Sequence, residues 1–116
     1  MDGLNKVFLM GNLGSDPKVM TDKQGRPYTK LNIATNRSWQ KEGGERESRV
    51  DWHDIFVFGK SGETCSKYLK KGAPLFVEGR MSVVDSEDEE KGHQRHSFIS
   101  AESVKFLPFR RSEESN

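Results

Sequence analysis

The sequence predicts an all-β domain with one helix, its strands closing into a small five-stranded barrel. Apolar and polar residues alternate with a period of two from Tyr28 to Asn36 and again from Pro74 to Val84. Only Ser61 to Lys71 carries apolar residues at helical spacing. Between these runs lie clusters of Gly, Asn, Asp and Pro, the residues that turns require.

Leu4 to Gly11 reads as the first strand, rich in Val7, Phe8, Leu9 and Met10, and Gly11-Asn12-Leu13-Gly14 breaks it. A short strand at Lys18 to Met20 fits between the Ser15-Asp16-Pro17 turn and the cluster Asp22 to Pro27. The next strand, Tyr28 to Asn36, puts Leu31 and Ile33 on one face and Lys30, Asn32 and Ala34 on the other. Asn36 to Arg49 is polar and glycine-containing, which predicts a long hairpin loop with Trp39 near its base. Arg49 to Phe58 is the strongest strand. Its two faces, Val50-Trp52-Asp54-Phe56-Phe58 and Asp51-His53-Ile55-Val57, both become apolar, which predicts cover on both sides.

The helix over 61–71 would place Cys65, Tyr68 and Leu69 on one face, with Ser61 as cap, Lys70 and Lys71 at the C-terminal dipole and Gly72 as stop. Pro74 to Val84 follows as a strand with Leu75, Val77, Met81 and Val83 together, then a charged loop from Asp85 to Arg95, then a last strand from Ser97 to Leu107. Phe8, Phe76, Phe98 and Phe106 are expected in the core or an interface. Five strands with a helix between the third and fourth is the layout of the OB-fold, a barrel that binds oligonucleotides.

Composition narrows the function. The 116 residues fit one domain, and 32% apolar residues make a thin core that association would help. Net charge is only +1, but it is unevenly spread. Residues 1–82 hold 14 Lys/Arg against 10 Asp/Glu, and residues 83–116 hold 5 against 8, mostly in the run Asp85 to Glu90. The front of the chain is therefore mildly basic. The single cysteine, Cys65, forms no disulfide framework within the chain and suits a reducing, cytoplasmic setting. No stretch has the length of a membrane span, and the N-terminus lacks a signal-peptide plan.

Specific blocks add to this reading. Asn5-Lys6-Val7 with Gly11 to Pro17, Ala34 to Trp39, Trp52-His53 with Phe56 to Lys60, Tyr68 to Gly72, and Val77 to Arg80 occur in order. This series resembles the bacterial single-stranded DNA-binding proteins. The resemblance implies an OB-fold over residues 1–107, followed by a short disordered tail over 108–116. It also implies a cytoplasmic, nucleoid-associated homotetramer that coats single strands in DNA replication, recombination and repair. Two features depart from the family. Its frequent third tryptophan, in the loop before the last strand, has no counterpart in Val83 to Glu90. The acidic, phenylalanine-tipped end that recruits replication and repair proteins is absent from Glu113 to Asn116.

Binding without sequence preference needs aromatic platforms and cations along one path. Trp39, Trp52 and Phe58 are the expected platforms. Arg37, Arg49, Lys60, Lys70, Lys71 and Arg80 are the expected phosphate contacts. The resemblance assigns Asn5, Lys6 and His53 to subunit contacts. His53 is also the one candidate for a catalytic base, flanked by Asp51 and Asp54, but strand alternation is expected to point it away from both. His93 and His96 lack a fixed companion set for a metal. No catalytic, cofactor or metal residues are expected. Alternative readings are a primosomal-type OB-fold accessory acting through a protein partner, an RNA-binding barrel, or a nuclease using the acidic run.

Overall fold

The structure, a computed structural model, describes residues 1–108. The strands are β1 (Val7–Leu13), β2 (Lys18–Thr21), β3 (Pro27–Gln40), β4 (Arg46–Phe58), β5 (Pro74–Asp88) and β6 (Gly92–Phe106), with α1 (Gly59–Tyr68) between β4 and β5. Sheet order is β1-β5-β6-β4-β3-β2, and β1 also pairs with β3. That last pairing closes β1, β5, β6, β4 and β3 into a five-stranded barrel, with β2 added to the start of β3. The expected OB-fold layout is what forms. The expected tail lies, from residue 109 on, outside the described residues.

Alternation builds the barrel's interior. Thr29, Leu31 and Ile33 of β3 face Ile55 and Val57 of β4, joined by Leu13, Leu75, Val77 and Ile99. The helix closes one end with Cys65, and Leu69 and Ala73 follow it into the core. The close approach of α1 rests on Gly62, where a side chain would strike the Val57 carbonyl; Thr29 donates its hydroxyl to the Gly62 carbonyl at 2.9 Å. Gly11 plays the same part where β1 crosses the Ala34 carbonyl, so it continues the strand to Leu13 where a break was expected.

Among the described residues the buried core contains no aromatic. Of the core or interface places expected for the four phenylalanines, the core is not taken: Phe8 and Phe106 are exposed, and Phe76 and Phe98 are half-buried. Strand parity explains Phe8, Phe76 and Phe98. Phe8 and Phe76 lie on the outer side of the β1–β5 pair, and Phe98 is one residue out of step with buried Ile99. Met81 and Val83 are likewise exposed, because they lie beyond the β-bulge at Glu78/Gly79, where β5 leaves the barrel.

The two expected loops are ladders. β3 and β4 stay paired to Gln40↔Arg46, leaving a turn held by Lys41 N–H to the Glu45 carbonyl at 2.6 Å. β5 and β6 stay paired to Asp88↔Gly92. Both are ribbons solvated on two faces, so they need no apolar alternation and give no periodic signal. The second is supported across the ladder by the Asp85–Arg95 ion pair at 3.2 Å and by a contact between the His93 ring and the Glu87 carboxylate at 3.3 Å.

The helix also differs from expectation. Gly59, at φ +71°, turns the chain out of β4 directly into α1, a conformation only glycine adopts freely. Extended Phe58 is the N-cap and makes no side-chain cap, while Ser61 falls inside the first turn. At the other end Leu69 is already extended and returns to the core, leaving Tyr68 exposed.

Candidate nucleic-acid interface

The β3–β4 register assigns every hairpin residue to a face. Tyr28↔Phe58, Lys30↔Phe56, Asn32↔Asp54 and Ala34↔Trp52 share the outer face. β2 adds Lys18 beside Lys30 and Met20 beside Tyr28. β6 adds Phe98, stacked on Phe56 with centroids 4.4 Å apart. Tyr28 touches both Phe56 and Phe58, at 4.9 and 5.3 Å. The outer face therefore carries an aromatic row from Phe98 to Phe58, with Trp52 further along the same strand.

Trp52 and Phe58 are 58% and 43% exposed, which leaves ring surface for another flat molecule. Cover on both sides of β4 was expected, and this side of the strand is open instead. Trp52 has a defined seat: opposite it stands the small Ala34, and its ring lies against Gly14, where a Cβ would collide with it. Lys18 and Lys30 form no ion pair among the described residues. Asp54, in their midst, accepts from the Asn32 amide at 3.2 Å.

Trp39 is on the opposite face. Its ladder partner is Glu47, an odd number of residues from Trp52. With it lie Arg37, whose guanidinium stands 5.4 Å from the Trp39 ring centroid, and Arg49, directly across from Arg37. Asp51 holds this pair of like charges, at 3.1 and 3.5 Å. The structure thus brings Trp52 and Phe58 together and puts Trp39, Arg37 and Arg49 on the hairpin's other side.

Among the remaining cations, Lys60 is exposed in the first turn of α1, two residues from Phe58. Lys70 and Lys71 are exposed, and Asp16 accepts the Lys71 backbone N–H at 2.8 Å, which docks this turn on the loop that seats Trp52. Arg80 is exposed on β5 opposite Ser100, on the outer side.

The three expected subunit-contact residues all make bonds within the chain. Asn5 holds the Met81 backbone through both ends of its amide, at 2.8 and 3.0 Å. Lys6 bridges Glu102 and Glu78, at 2.9 and 3.1 Å. Hydrogen bonding to Glu102 and then Glu78 raises the Lys6 pKa, and the same bond lowers that of Glu102. His53 is half-buried and its Nε2 lies 2.8 Å from the Thr35 hydroxyl. Asp51 shares its face, contrary to expectation, since residues two apart in a strand point the same way. That carboxylate is engaged by the arginines. Burial pushes the Cys65 thiol up to about 11, so it is not a thiolate at neutral pH. His93 sits between Asp85 and Glu87, and among the described residues no group of three such side chains is placed to hold a metal.

Reasoning from sequence missed Tyr28, Lys18, Lys30, Phe56 and Phe98 as members of this surface. The period-two pattern already held part of the signal, since Tyr28 and Lys30 are in step with Asn32 and out of step with Leu31.

Comparison with known proteins gives this surface a context. The model of the single-strand binding protein family matches residues 4–107. The chain belongs to that family. Single-stranded DNA-binding protein 1 of Chlorobaculum tepidum is 35% identical over 95 residues, covering 82% of this chain and 59% of that protein. The Plasmodium falciparum SSB, solved in complex with single-stranded DNA, superposes with a TM-score of 0.81 at 25% identity, over 93% of this chain and 98% of that one. A deletion mutant of the Thermus aquaticus single-stranded DNA-binding protein gives the same TM-score at 29% identity, over 93% of this chain and 52% of its own. The chain thus spans little more than half the length of two of these relatives. The single-strand binding protein family is one of DNA-binding proteins rather than enzymes.

Proposed function

We propose that the chain binds and protects single-stranded DNA without sequence preference and without catalysing a reaction, in replication, recombination and repair. The observation that carries this is the outer face. Trp52 and Phe58 expose ring surface on one strand face, with Lys18 and Lys30 beside it. Bases stack on the rings and phosphates meet the lysines, and neither contact reads base identity. Lys60, Lys70, Lys71 and Arg80 extend the phosphate path, and Trp39 with Arg37 and Arg49 serves strand passing over the hairpin.

Assembly as a homotetramer belongs to the same proposal. The β3-facing edge of β1 over residues 7–11 has no partner strand within the described residues, and Phe8 and Met10 are exposed beside it. Both features invite a second copy. His53, Asn5 and Lys6 would support that assembly from within the protomer.

Titrating oligo-dT while following tryptophan emission at two salt concentrations tests the function. Strong quenching is expected, reduced in Trp52→Ala and weakened as salt rises. Absence of quenching, or affinity indifferent to salt, would overturn the proposal.

A further inference from the structure

The outer face offers a further aromatic surface beyond Trp52 and Phe58. An open groove runs beside the aromatic row. Tyr28, Phe56 and Phe98 form its floor, and Lys23 and Lys30 stand among its lining residues. Its walls are the Asp22–Arg26 turn on one side and β6 with Val84 on the other. The turn is firmly built: Asp22 accepts the backbone N–H groups of Arg26 and Gln24 at 2.8 and 3.0 Å and the Arg26 side chain at 2.9 Å. Those bonds, the Arg26 backbone donor first, hold the Asp22 carboxyl below its usual pKa.

We infer that this groove takes an unpaired nucleobase of the bound strand, stacked on the Phe98–Phe56–Tyr28 floor, with its phosphate toward Lys30. The inference rests on the single-strand-binding function proposed above. Three observations favour a base over an apolar peptide. The floor is made of rings in mutual contact, Phe98 stacked on Phe56 at 25° and Tyr28 tilted against Phe56 at 43°, an aromatic row that a further ring can join. It is continuous through Tyr28 with Phe58 and so with the proposed path. Of the cations that line it, Arg95 is held by Asp85 at 3.2 Å, whereas Lys23 and Lys30, like Lys18 beside Lys30, form no ion pair among the described residues, which suits a ligand that brings a negative charge with every base. Asp54 also lines the groove. It accepts hydrogen bonds only, so it suits a base's exocyclic amine and repels phosphate, which directs the backbone to the lysine side.

The test uses labelled oligo-dT and oligo-dC with the whole chain. Phe98→Ala and Phe98→Leu, the second keeping apolar bulk if the first fails to fold, should each weaken binding at least about fivefold. Both should leave the salt slope unchanged, because no phosphate contact is lost. Photo-cross-linking to a strand containing 5-iodouracil should label the peptides holding Tyr28 or Phe98. Wild-type affinity in either Phe98 variant alongside weakened binding in Trp52→Ala, or cross-links confined to Trp39 and Trp52, would overturn the groove while leaving the function intact. No binding by the wild-type chain would overturn both.

Discussion

Gly14 shows how one residue without a side chain positions another with a large one. Its backbone N–H bonds the Asn32 carbonyl at 2.8 Å, which fixes the loop after β1 against β3. The Trp52 ring then lies on the bare Cα. Gly14→Ala should displace that ring without unfolding the barrel, because Trp52 is 58% exposed and has solvent to swing into. In a Trp39→Phe background, the expected result is a shifted Trp52 emission maximum and affinity for oligo-dT reduced about fivefold, with melting temperature nearly unchanged. Unaltered emission and affinity would show that the seat is not needed. At this scale the sequence was informative about which residues matter and silent about why. Trp52 and Phe58 stood out as aromatics on a strand, but nothing in the spacing of Gly14 and Trp52 reveals that they touch. The misplaced phenylalanines have a different origin. Hydropathy sends a phenylalanine inward, but alternation already puts Phe76 out of phase with Leu75 and Val77, and the register against buried Ile99 does the same for Phe98.

Elements were legible wherever one face of a strand is buried. Leu31 and Ile33 mark β3, and Ile55 and Val57 mark the end of β4, because burial enforces alternation. The distal halves of the two long hairpins escaped notice because solvent covers both faces, and there charge pairing replaces hydrophobic period. On the β3–β4 ribbon the decisive arrangement is Arg37 facing Arg49 with Asp51 between them. Like charges directly opposite each other destabilise a ladder, so Asp51 stabilises the ribbon while neutralising two cations. Asp51→Asn should therefore have opposite effects on stability and binding. Melting temperature should fall slightly. Affinity for single strands should rise a few-fold at low salt, and the dependence of log K on log salt should steepen by up to about one unit as the arginines become available to phosphate. Equilibrium titrations at several salt concentrations measure both. A weaker, flatter salt response in Asp51→Asn would mean that the Arg37 face stays off the strand's path.

The whole molecule distributes its surface unevenly, which favours the proposed assembly. Its buried core is small and aliphatic, while aromatic groups lie outside it, among them the row from Phe98 to Phe58, Trp52, and the stacked pair Phe8–Phe76 with centroids 6.2 Å apart. The first two lie near unpaired lysines, as nucleic acid requires. The Phe8–Phe76 pair adjoins Met10, 67% exposed, and the unpaired edge of β1, and the cation closest in sequence, Lys6, is already held by Glu78 and Glu102. Exposed apolar side chains beside an unpaired strand edge suit an apolar partner, although Lys105, across the ladder from Phe76, and Arg80 also lie on this side. The same surface in a second copy supplies one and extends the β1 edge as well. Burial of a phenylalanine or methionine side chain is worth about 1.5–3 kcal/mol, and each protomer would contribute both. Met10→Glu removes that gain and leaves a carboxylate desolvated in the contact, while β1 keeps its pairing with β5. By sedimentation equilibrium the wild-type chain should have the mass of a tetramer and Met10→Glu that of a smaller species, with the circular dichroism unchanged. Because Trp52 and Phe58 lie elsewhere, the dissociated variant should still quench with short oligo-dT but lose affinity for long strands that span protomers. A wild-type chain that sediments as a monomer, or a variant of unchanged mass, would remove the β1 face from the assembly.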